Sequence, residues 1–468
     1  MRSTRFKCRS VVRARLPDVI VGYWRRPGWE VGIMLWAACL MFFARAAAGQ
    51  ATVVSAGLKN QFGIKIAALD AQNIDGSSRG LLAIADWSAG MDHRPLPSVF
   101  LIGGEDWRTL ARLSAPEAVS DPSIRRVIPR ACTCIQSDCC LLLGWPAIPV
   151  HEEAVGIVEF VRIALVQDQL AVVRTAITES ESTFGESLQC VGDIDGDGVS
   201  DALVGAPGYW SRGRHCPGRV YCVSSAARVP QWCIENDEPM EWGLGTAMQS
   251  VGDINGDGCA DVVVAAASGS LVALSGKRGE TLWAVRIALY GEVCQVALAA
   301  VGDLDGGGVI DVAFAVLPAT GGFDEDRRTG RVGIVGGEKG CLIWEVEALG
   351  GDAAGYGVSL AAVGGAGRVR SRDLLIGSSH AKDLLILDGG SGAIVGRVVA
   401  PASFDFGIEL CEDIVDADGD GYRDFLVSDV NPRTGAGRGI VRRYGGRLIN
   451  GVVLQEWGAT PPAGATGH

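Results

Sequence analysis

A repeated sixteen-residue pattern constrains this chain more than any other feature of its sequence. The segment VGDIDGDGVSDALVGA (191–206) recurs as VGDINGDGCADVVVAA (251–266), as VGDLDGGGVIDVAFAV (301–316) and, more loosely, as IVDADGDGYRDFLVSD (414–429). A weaker copy lies at 362–379. Each strong copy places acidic residues at alternate positions and then continues into an apolar run. Such self-similarity indicates a fold built by packing copies of one structural unit against each other.

Two further elements accompany the acidic segment. An apolar segment precedes it and often opens with an aromatic-glycine pair; these pairs are Phe62-Gly63, Phe184-Gly185, Trp242-Gly243, Tyr356-Gly357 and Phe406-Gly407. Two apolar runs around a short glycine-containing turn follow it, as in GSLVALSGKRGETLW (269–283). This arrangement is typical of a β-hairpin. One repeat is therefore predicted to hold about four short strands.

The spacing of the repeats predicts seven units. Phe62 and Phe406 mark the first and last aromatic-glycine pairs, and the interval between them fits six steps of about 57 residues. A less marked unit lies before Phe184, where CLLLGWPA (140–147) aligns with DALVGAPG (201–208). Four-stranded repeats of ~40–50 residues are typical of propellers. We therefore predict an all-β fold, a seven-bladed β-propeller with four-stranded blades.

The first 48 residues differ in composition from the rest. They hold nine of the 42 basic residues but only two of the 54 acidic ones, and an apolar run at 31–43 precedes an A-x-A pattern at Ala46 and Ala48. This order is typical of a secretory signal peptide, and the run is shorter than the ~20 residues of a membrane span. An uncleaved anchor is the alternative. The predicted domains are a signal peptide at 1–48, the propeller at 49–457 and a disordered tail at 458–468.

Charge and cysteine content indicate the compartment and the class of partner. Without residues 1–48 the chain keeps 33 basic and 52 acidic residues, a formal charge near −19. Nucleic acid is a poor partner for such a surface, because phosphates need basic side chains, whereas cations suit it. Twelve cysteines remain, and an even number permits disulfides in an exported protein. The candidate local pairs lie within Cys132, Cys134, Cys139 and Cys140 and within Cys216, Cys222 and Cys233.

Three complete acidic loops are candidate calcium sites. In DIDGDGVSD (193–201) carboxylates stand at places 1, 3, 5 and 9, glycines at places 4 and 6 permit a tight turn, and place 7 offers a backbone carbonyl. Hard oxygen donors in this number suit Ca²⁺ better than Mg²⁺, zinc or copper. The expected ligands are Asp193, Asp195, Asp197, Val199 and Asp201; Asp253, Asn255, Asp257, Cys259 and Asp261; and Asp416, Asp418, Asp420, Tyr422 and Asp424.

A fourth loop, DLDGGGVID (303–311), is incomplete. It keeps Asp303, Asp305 and Asp311 and the place-7 carbonyl of Val309, but Gly307 replaces the acid at place 5. We expect this loop to bind Ca²⁺ more weakly, with water filling the gap. The corresponding segments near 70–80, 132–140 and 365–373 lack most of the acids and are expected to bind no metal. Solvated Asp-Gly turns without an ion are the alternative for the acidic loops.

An EF-hand is excluded by the residues that follow these loops. That motif needs a bidentate glutamate at place 12 and flanking helices. Place 12 is Val204, Val264 and Val427 in the three complete loops, each within an apolar run. The sequence therefore predicts calcium loops between strands.

The repeat resembles the FG-GAP repeat of integrin α-chain propellers and related secreted bacterial proteins. Phe184-Gly185, the loop 193–201 and Gly205-Ala206-Pro207 carry the resemblance most fully, and it extends over roughly 60–457. Other repeats replace the Gly-Ala-Pro triplet, as Ala265-Ala266-Ala267 does, which argues against a specific integrin ligand site. The resemblance implies that Ca²⁺ braces the blades while partners bind loops on a propeller face.

We expect a secreted, periplasmic or cell-surface scaffold that binds an extracellular protein or glycan, without catalysis and without a membrane span in the mature chain. No H-E-x-x-H motif is present. One alternative is a quinone-dependent dehydrogenase, because the hairpins resemble repeats of those propellers and Cys139-Cys140 is a vicinal pair, although those folds usually need eight blades. A polysaccharide-acting enzyme with spatially paired acids is another alternative.

Overall fold

In a computed structural model the chain is built of short antiparallel β-strands, and the described residues contain no helix. The structure describes residues 7–9, 60–69, 81–88, 98–103, 108–114, 128–132, 139–146, 156–166, 169–179, 183–208, 217–235, 242–288, 294–318, 330–347, 356–364, 372–378, 383–399, 406–412, 424–429 and 440–445. No helix long and apolar enough to cross a membrane occurs in these ranges.

The first three sheets follow one another along the chain. The first blade contains β2 (Asn60–Leu69), β3 (Leu81–Ser88), β4 (Ser98–Gly103) and β5 (Arg108–Ser114). The second contains β6 (Ile128–Cys132), β7 (Cys139–Trp145), β8 (Gly156–Val166) and β9 (Gln169–Glu179). The third contains β10 (Ser187–Gly192), β11 (Asp201–Ala206), β12 (Arg219–Val223) and β13 (Pro230–Glu235), and β1 (Lys7–Arg9) pairs along the outer edge of β13.

Four more sheets complete the series. The fourth blade contains β14 (Leu244–Gly252), β15 (Asp261–Ala266), β16 (Ser270–Leu274) and β17 (Thr281–Arg286). The fifth contains β18 (Cys294–Gly302), β19 (Asp311–Pro318), β20 (Arg331–Val335) and β21 (Leu342–Glu347). The sixth contains β22 (Tyr356–Val363), β23 (Asp373–Ser378), β24 (Asp383–Leu387) and β25 (Ile394–Val399), and the seventh contains β26 (Phe406–Glu412), β27 (Phe425–Asp429) and β28 (Ile440–Tyr444).

The blades form a closed ring. The first strands contact each other in the order β2, β6, β10, β14, β18, β22 and β26, and β26 in turn contacts β2. Lys65 on β2 and Glu409 on β26 form an ion pair of 2.7 Å across this closure. The seven-bladed all-β propeller predicted from the repeat is confirmed.

The apolar runs of the repeat form the second and third strands, which are buried on both faces. Every residue of β15 and β16 is buried, because each blade is covered by its neighbours on either side. Strands covered in this way are continuously apolar and do not alternate. The fourth strands are more exposed; β25 buries only Val398. Hydrophobic clusters therefore lie between blades, as where Val204 packs with Phe184 and Leu142.

Close contact between neighbouring blades explains the glycines of the repeat. Gly185 and Gly245 have φ of +93° and +98°, a region that glycine reaches without strain. A Cβ at Gly205 would lie 2.3 Å from the carbonyl oxygen of Gly245, and one at Gly144 would lie 2.0 Å from that of Gly185. The equivalent of Phe184-Gly185 in the fourth blade is therefore Leu244-Gly245. The aromatic-glycine pair assigned from sequence to Trp242-Gly243 was two residues out of register.

One predicted disulfide is not formed. Cys222 and Cys233 both carry free thiols. In the antiparallel pairing of β12 with β13, Cys222 is opposite Trp232 and Tyr221 is opposite Cys233. Because side chains alternate between the two faces of a sheet, this one-residue offset directs the two cysteines to opposite faces. Cys216 and the side chains of the cluster at 132–140 lie outside the described residues.

Two domain boundaries stay predictions. Within the segment assigned to a signal peptide, only Lys7–Arg9 is described, and there Cys8 pairs with Ile234 on β13. The rest of 1–48 and the predicted tail at 458–468 lie outside the described ranges.

Candidate metal centres

Each described acidic loop joins the first strand of a blade to the second. The loop leaves the first strand at a glycine that pairs with the place-9 aspartate, as Gly192 pairs with Asp201 and Gly252 with Asp261. The register between the two strands is irregular at this pair, because the chain leaves the β-ladder there and enters the loop. The loop therefore lies at the edge of the blade, with Asp195 and Asp197 exposed and Ile194 packed against the core.

Backbone amides fix the place-1 carboxylate. Asp193 Oδ1 accepts hydrogen bonds from the amides of Gly196 (2.7 Å) and Asp197 (3.1 Å), and Asp193 Oδ2 accepts one from Gly198 (2.8 Å). Gly196 and Gly198 have φ of +82° and +87°, which turns their amides inward. The loop sequence thus folds around its own first acid.

The same wrapping recurs in the other two described loops. Asp253 accepts the amides of Gly256 and Gly258 at 2.7 and 2.8 Å. Asp303 accepts those of Gly306 and Gly308 at 2.7 and 3.0 Å. Because the donors stand at the same places each time, the spacing of acids and glycines predicts the loop conformation directly.

Two loops bring three carboxylates close together. One ligand oxygen each from Asp193, Asp195 and Asp197 lies within 4.8 Å of the others, and so do oxygens from Asp303, Asp305 and Asp311. Asp195 and Asp197 are exposed. Like charges at this separation repel each other, and a cation among them removes that cost.

The loop at 253–261 differs in its place-3 residue. Asn255 Nδ2 donates to Asp257 Oδ2 at 3.0 Å, so the amide group and the place-5 acid already face each other. Ser275 Oγ also donates to Asp257 Oδ2 at 3.1 Å, and Lys277 Nζ donates to the Asp257 carbonyl at 2.9 Å. Burial acts to raise the pKa of Asp257, but hydrogen bonds led by that from Asn255 lower it.

Backbone amides at place 7 take part in two of the loops. Val199 and Cys259 donate their amides to the place-5 acids, to Asp197 Oδ1 at 2.8 Å and to Asp257 Oδ1 at 3.0 Å. Val309 packs against the core between the fourth and fifth blades. These positions contribute backbone atoms to the loop, which explains why their side chains vary.

Sequence reasoning missed a second role of the place-9 aspartate. Asp261 Oδ2 accepts the loop amide of Ile254 at 2.7 Å, and its Oδ1 accepts the amide of Gly276, in the turn between β16 and β17, at 3.1 Å. Asp311 bridges Leu304 and Gly337 at 2.7 and 2.9 Å in the same way.

The third blade repeats this arrangement. Asp201 bridges Ile194 and Ser225 at 2.9 and 3.1 Å. Burial raises the pKa of Asp201, Asp261 and Asp311 above its usual value. The place-9 acid therefore connects the loop to the turn between the third and fourth strands of its own blade. This turn is called the outer turn below.

The sixth blade has no acidic loop, but its place-9 aspartate also accepts a hydrogen bond from the outer turn. Asp373 stands at place 9 of the degenerate segment 365–373 and accepts a backbone hydrogen bond from Gly389 in the next turn. Burial raises the pKa of Asp373, and the charge of Asp388 raises it further. Since places 1, 3 and 5 of this segment carry no acids, the tie to the turn does not depend on a metal site.

The seventh blade is described only in part. Asp416, Asp418, Asp420 and Tyr422 lie outside the described residues. Asp424, at place 9, is 1% exposed, and its Oδ2 lies 3.9 Å from Nε of Arg443 on β28. This blade thus places a buried cation beside its place-9 acid.

The outer turns also contact the preceding blade, a feature that sequence reasoning missed. Trp232 Nε1 donates to the Gly276 carbonyl at 3.1 Å, Trp283 Nε1 to that of Gly337 at 2.8 Å, and Trp344 Nε1 to that of Gly389 at 2.9 Å. Each tryptophan lies on the fourth strand of one blade and each glycine in the turn of the next. The recurrence of tryptophan at one place of the hairpin repeat was the available signal.

The donor chemistry of the loops fits a hard divalent cation. Places 1, 3, 5 and 9 of 193–201 and 253–261, and places 1, 3 and 9 of 303–311, offer carboxylate or amide oxygens, which are the ligands that Ca²⁺ prefers. The place-1 oxygens already accept amides, but each carboxylate oxygen has a second lone pair. The residues present could therefore hold Ca²⁺ at 193–201, 253–261 and 303–311.

Comparison with known proteins relates two of these loops to a repeat family. The FG-GAP repeat model matches residues 184–214 and 250–281. The chain is 36% identical to integrin alpha-PS2 of Drosophila melanogaster over 92 residues, 18% of this chain and 6% of that protein. It is 32% identical to integrin alpha-11 of Homo sapiens over 152 residues, 29% of this chain and 13% of that protein.

A solved structure, BBS1N in complex with ARL6DN, aligns with a TM-score of 0.47 and 12% identity, over 86% of this chain and 98% of that one. The chain spans only 6% to 13% of the length of these two integrins. Both FG-GAP matches contain a complete acidic loop, in the third and fourth blades. The propeller therefore contains two segments that match the FG-GAP repeat, and part of the chain is similar to integrin α-chains.

Proposed function

We propose that this protein is an exported, calcium-binding β-propeller that acts as a non-catalytic scaffold for an extracellular protein or glycan. The observation that carries the proposal is the preorganised acidic loop. At 193–201 and 253–261 the same amides hold the place-1 carboxylate in the same position. A site whose ligands are already oriented loses little conformational entropy when an ion binds.

Calcium would be held by the alternating side chains of each loop. In the third blade these are Asp193, Asp195 and Asp197, with the Val199 carbonyl and Asp201 as further donors. When bound, the ion supplies a positive charge that neutralises the repulsion between these carboxylates. Binding to the folded state alone stabilises it by mass action. Extracellular calcium sites work at ~10⁻⁴–10⁻³ M, so affinities in that range would suffice.

Export agrees with the even number of cysteines after residue 48, which permits disulfides, and disulfides persist in oxidising compartments but are rare in the cytosol. The basic, then apolar, then small-residue order of 1–48 and the acidic character of the remaining chain agree with this assignment.

The side of the propeller opposite the calcium loops is the proposed binding face. The connections between second and third strands lie at that end, because successive hairpins of an antiparallel sheet alternate ends. Several are long, such as 207–218, 319–330 and 430–439. Binding residues concentrate on loops that a rigid scaffold positions. The calcium end, with its acidic loops and outer turns, would then serve to brace the ring.

A quinone-dependent dehydrogenase is disfavoured by the blade number, since those propellers usually need eight blades. The vicinal pair Cys139-Cys140 has its side chains outside the described set and gives no support.

The test is calcium binding to the purified full chain. We expect equilibrium dialysis to find at least two bound Ca²⁺ per chain and calorimetry to show a higher unfolding temperature in Ca²⁺ than in EGTA. Asp193→Asn should remove one ion, whereas Glu347→Gln, an exposed acid outside the loops, should remove none. Absence of bound calcium in the wild-type chain would refute the proposal. Turnover of an alcohol on addition of a quinone cofactor would refute its non-catalytic part.

A further inference from the structure

The fifth blade lacks the place-5 acid of its loop, and a carboxylate from the outer turn of the same blade lies beside the gap. A Cβ built on Gly307 would lie 3.5 Å from Glu338 Oε2 and 2.9 Å from Asp305 Oδ1. The space that an aspartate side chain would enter at 307 is therefore flanked by two carboxylates already present.

The outer turns of the fourth and fifth blades have the same backbone, which makes their residues directly comparable. In the fourth blade the Gly279 amide donates to the Ser275 carbonyl at 2.7 Å, and in the fifth the Gly340 amide donates to the Gly336 carbonyl at 2.8 Å. Counting from Ser275 and Gly336, Glu338 occupies the position of Lys277.

The two blades show opposite charge at these paired places. The fourth blade has the acid Asp257 at place 5 and the cation Lys277 in the turn, and Lys277 Nζ reaches the Asp257 carbonyl at 2.9 Å. The fifth has Gly307 at place 5 and Glu338 in the turn. An acid is therefore absent from the loop of the fifth blade but present in its outer turn, as Glu338. In the fourth blade the residue at the same position, Lys277, contacts the acidic loop.

We propose that Glu338 supplies the carboxylate of the calcium site at 303–311 in place of the missing place-5 acid. The inference rests on the proposed calcium binding and identifies a ligand that the repeat pattern does not contain. It replaces the water that the sequence suggested for this gap.

Glu338 can reorient to serve this role. Its Oε1 pairs with Lys339 Nζ at 2.6 Å, and the side chains of Glu338 and Lys339 are 43% and 70% exposed. Exposed pairs of this kind are weak, and a divalent ion competes with the ammonium for the same carboxylate. The Oε2 atom of Glu338 lies 3.5 Å from the Gly307 Cβ position.

The experiment is calcium titration calorimetry on the full chain, with equilibrium dialysis to count bound ions. Glu338→Gln should lower the calcium affinity of one site by about tenfold and leave the affinity of the other sites unchanged, because the number of charged ligands tunes affinity in oxygen sites. Gly307→Asp in the Glu338→Gln background should restore the affinity of that site. The backbone permits aspartate there, since Asp197 and Asp257 occupy this place in the sister loops, and the nearest obstacle is the end of the Asp305 side chain.

Two controls separate the possible outcomes. Glu347→Gln removes the same charge from the same blade and should leave all affinities unchanged. In an Asp303→Asn chain, Glu338→Gln should have no further effect, because the site is already lost. If Glu338→Gln titrates like wild type while wild type binds calcium, the assignment of Glu338 is wrong and the proposed function stands. If wild type binds no calcium, both are wrong.

Discussion

Asp261 and Gly276 are joined by a hydrogen bond of 3.1 Å, from the glycine amide to the place-9 carboxylate. The carbonyl of the same glycine accepts the indole N–H of Trp232 from the preceding blade at 3.1 Å. One residue of an outer turn thus connects the acidic loop of its own blade with the fourth strand of its neighbour. Gly337 makes the same two bonds, with Asp311 and Trp283. Loop conformation and blade-to-blade packing are therefore coupled at two successive interfaces.

The first prediction concerns the indole donor. Trp283→Phe keeps an aromatic ring over the turn but removes the hydrogen bond to Gly337, leaving that carbonyl without its donor. We expect the free energy of unfolding in EGTA to fall by ~1 kcal/mol, the usual net worth of such a bond. Urea denaturation measures it. Leu342→Ala, at a 52% exposed side chain in the fifth blade, is the control and should change stability less. Equal losses in the two variants would contradict a role for the indole N–H.

The second prediction separates steric from conformational demands on glycine. A Cβ at Gly276 would lie 2.0 Å from the Ala260 carbonyl, whereas one at Gly256, with φ of +76°, meets nothing within 4 Å. Gly276→Ala therefore forces backbone to move, and Gly256→Ala costs only the ~1 kcal/mol of a left-handed alanine. We expect the Gly276 variant to lose clearly more thermal stability in EGTA. Similar melting temperatures for the two variants would contradict the close approach.

Sequence periodicity predicted the blade number and the loop conformation because both depend on local spacing. Asp193 is wrapped by amides three to five residues away, so its neighbours in sequence define the contact. Trp283 and Gly337 are 54 residues apart, and only the ring brings them together. The candidate disulfides within Cys216, Cys222 and Cys233 are not formed by Cys222 or Cys233, because proximity along the chain does not specify the face of a strand. Glu338 could not be found from the loop pattern because it lies in a different turn.

The third prediction is a pH dependence that needs no metal. Burial, and then the charge of Asp388, raise the pKa of Asp373 in the folded state above the unfolded value of 3.8. The folded chain therefore binds the proton of the Asp373 carboxyl more tightly than the unfolded chain does. The resulting stabilisation of the folded state is complete below pH 3.8 and is lost as the pH rises through the folded-state pKa. Asp373→Asn lacks this titration. In EGTA, the free energy of unfolding of the variant relative to wild type should increase from pH 3.5 to pH 7. Parallel pH profiles would contradict the shift.

The fourth prediction separates the two acids at the ends of one loop. Asp253→Asn removes a place-1 charge and keeps one of the two oxygens that accept amides in this exposed loop, so the chain in EGTA should lose less stability than the next variant while one calcium ion is lost. Asp261→Ala removes the bonds to Ile254 and Gly276. It should lower stability in EGTA by ~1–3 kcal/mol, the cost of leaving buried donors unpaired. Calorimetry with and without Ca²⁺ distinguishes the two, and an equal loss in EGTA would argue against the tie to the turn.

The fifth prediction concerns ring closure. Lys65 and Glu409 pair at 2.7 Å between the first and last blades, but Lys65 is 41% exposed. Solvent screens such a pair, so Lys65→Met should cost less than ~1 kcal/mol, and the difference from wild type should shrink as salt rises. Urea denaturation at 0.05 and 0.5 M NaCl measures this. The ring is held mainly by buried apolar contacts such as those of Leu384 and Leu410 between the sixth and seventh blades. A loss of several kcal/mol that persists at high salt would instead make this ion pair a principal closure of the ring.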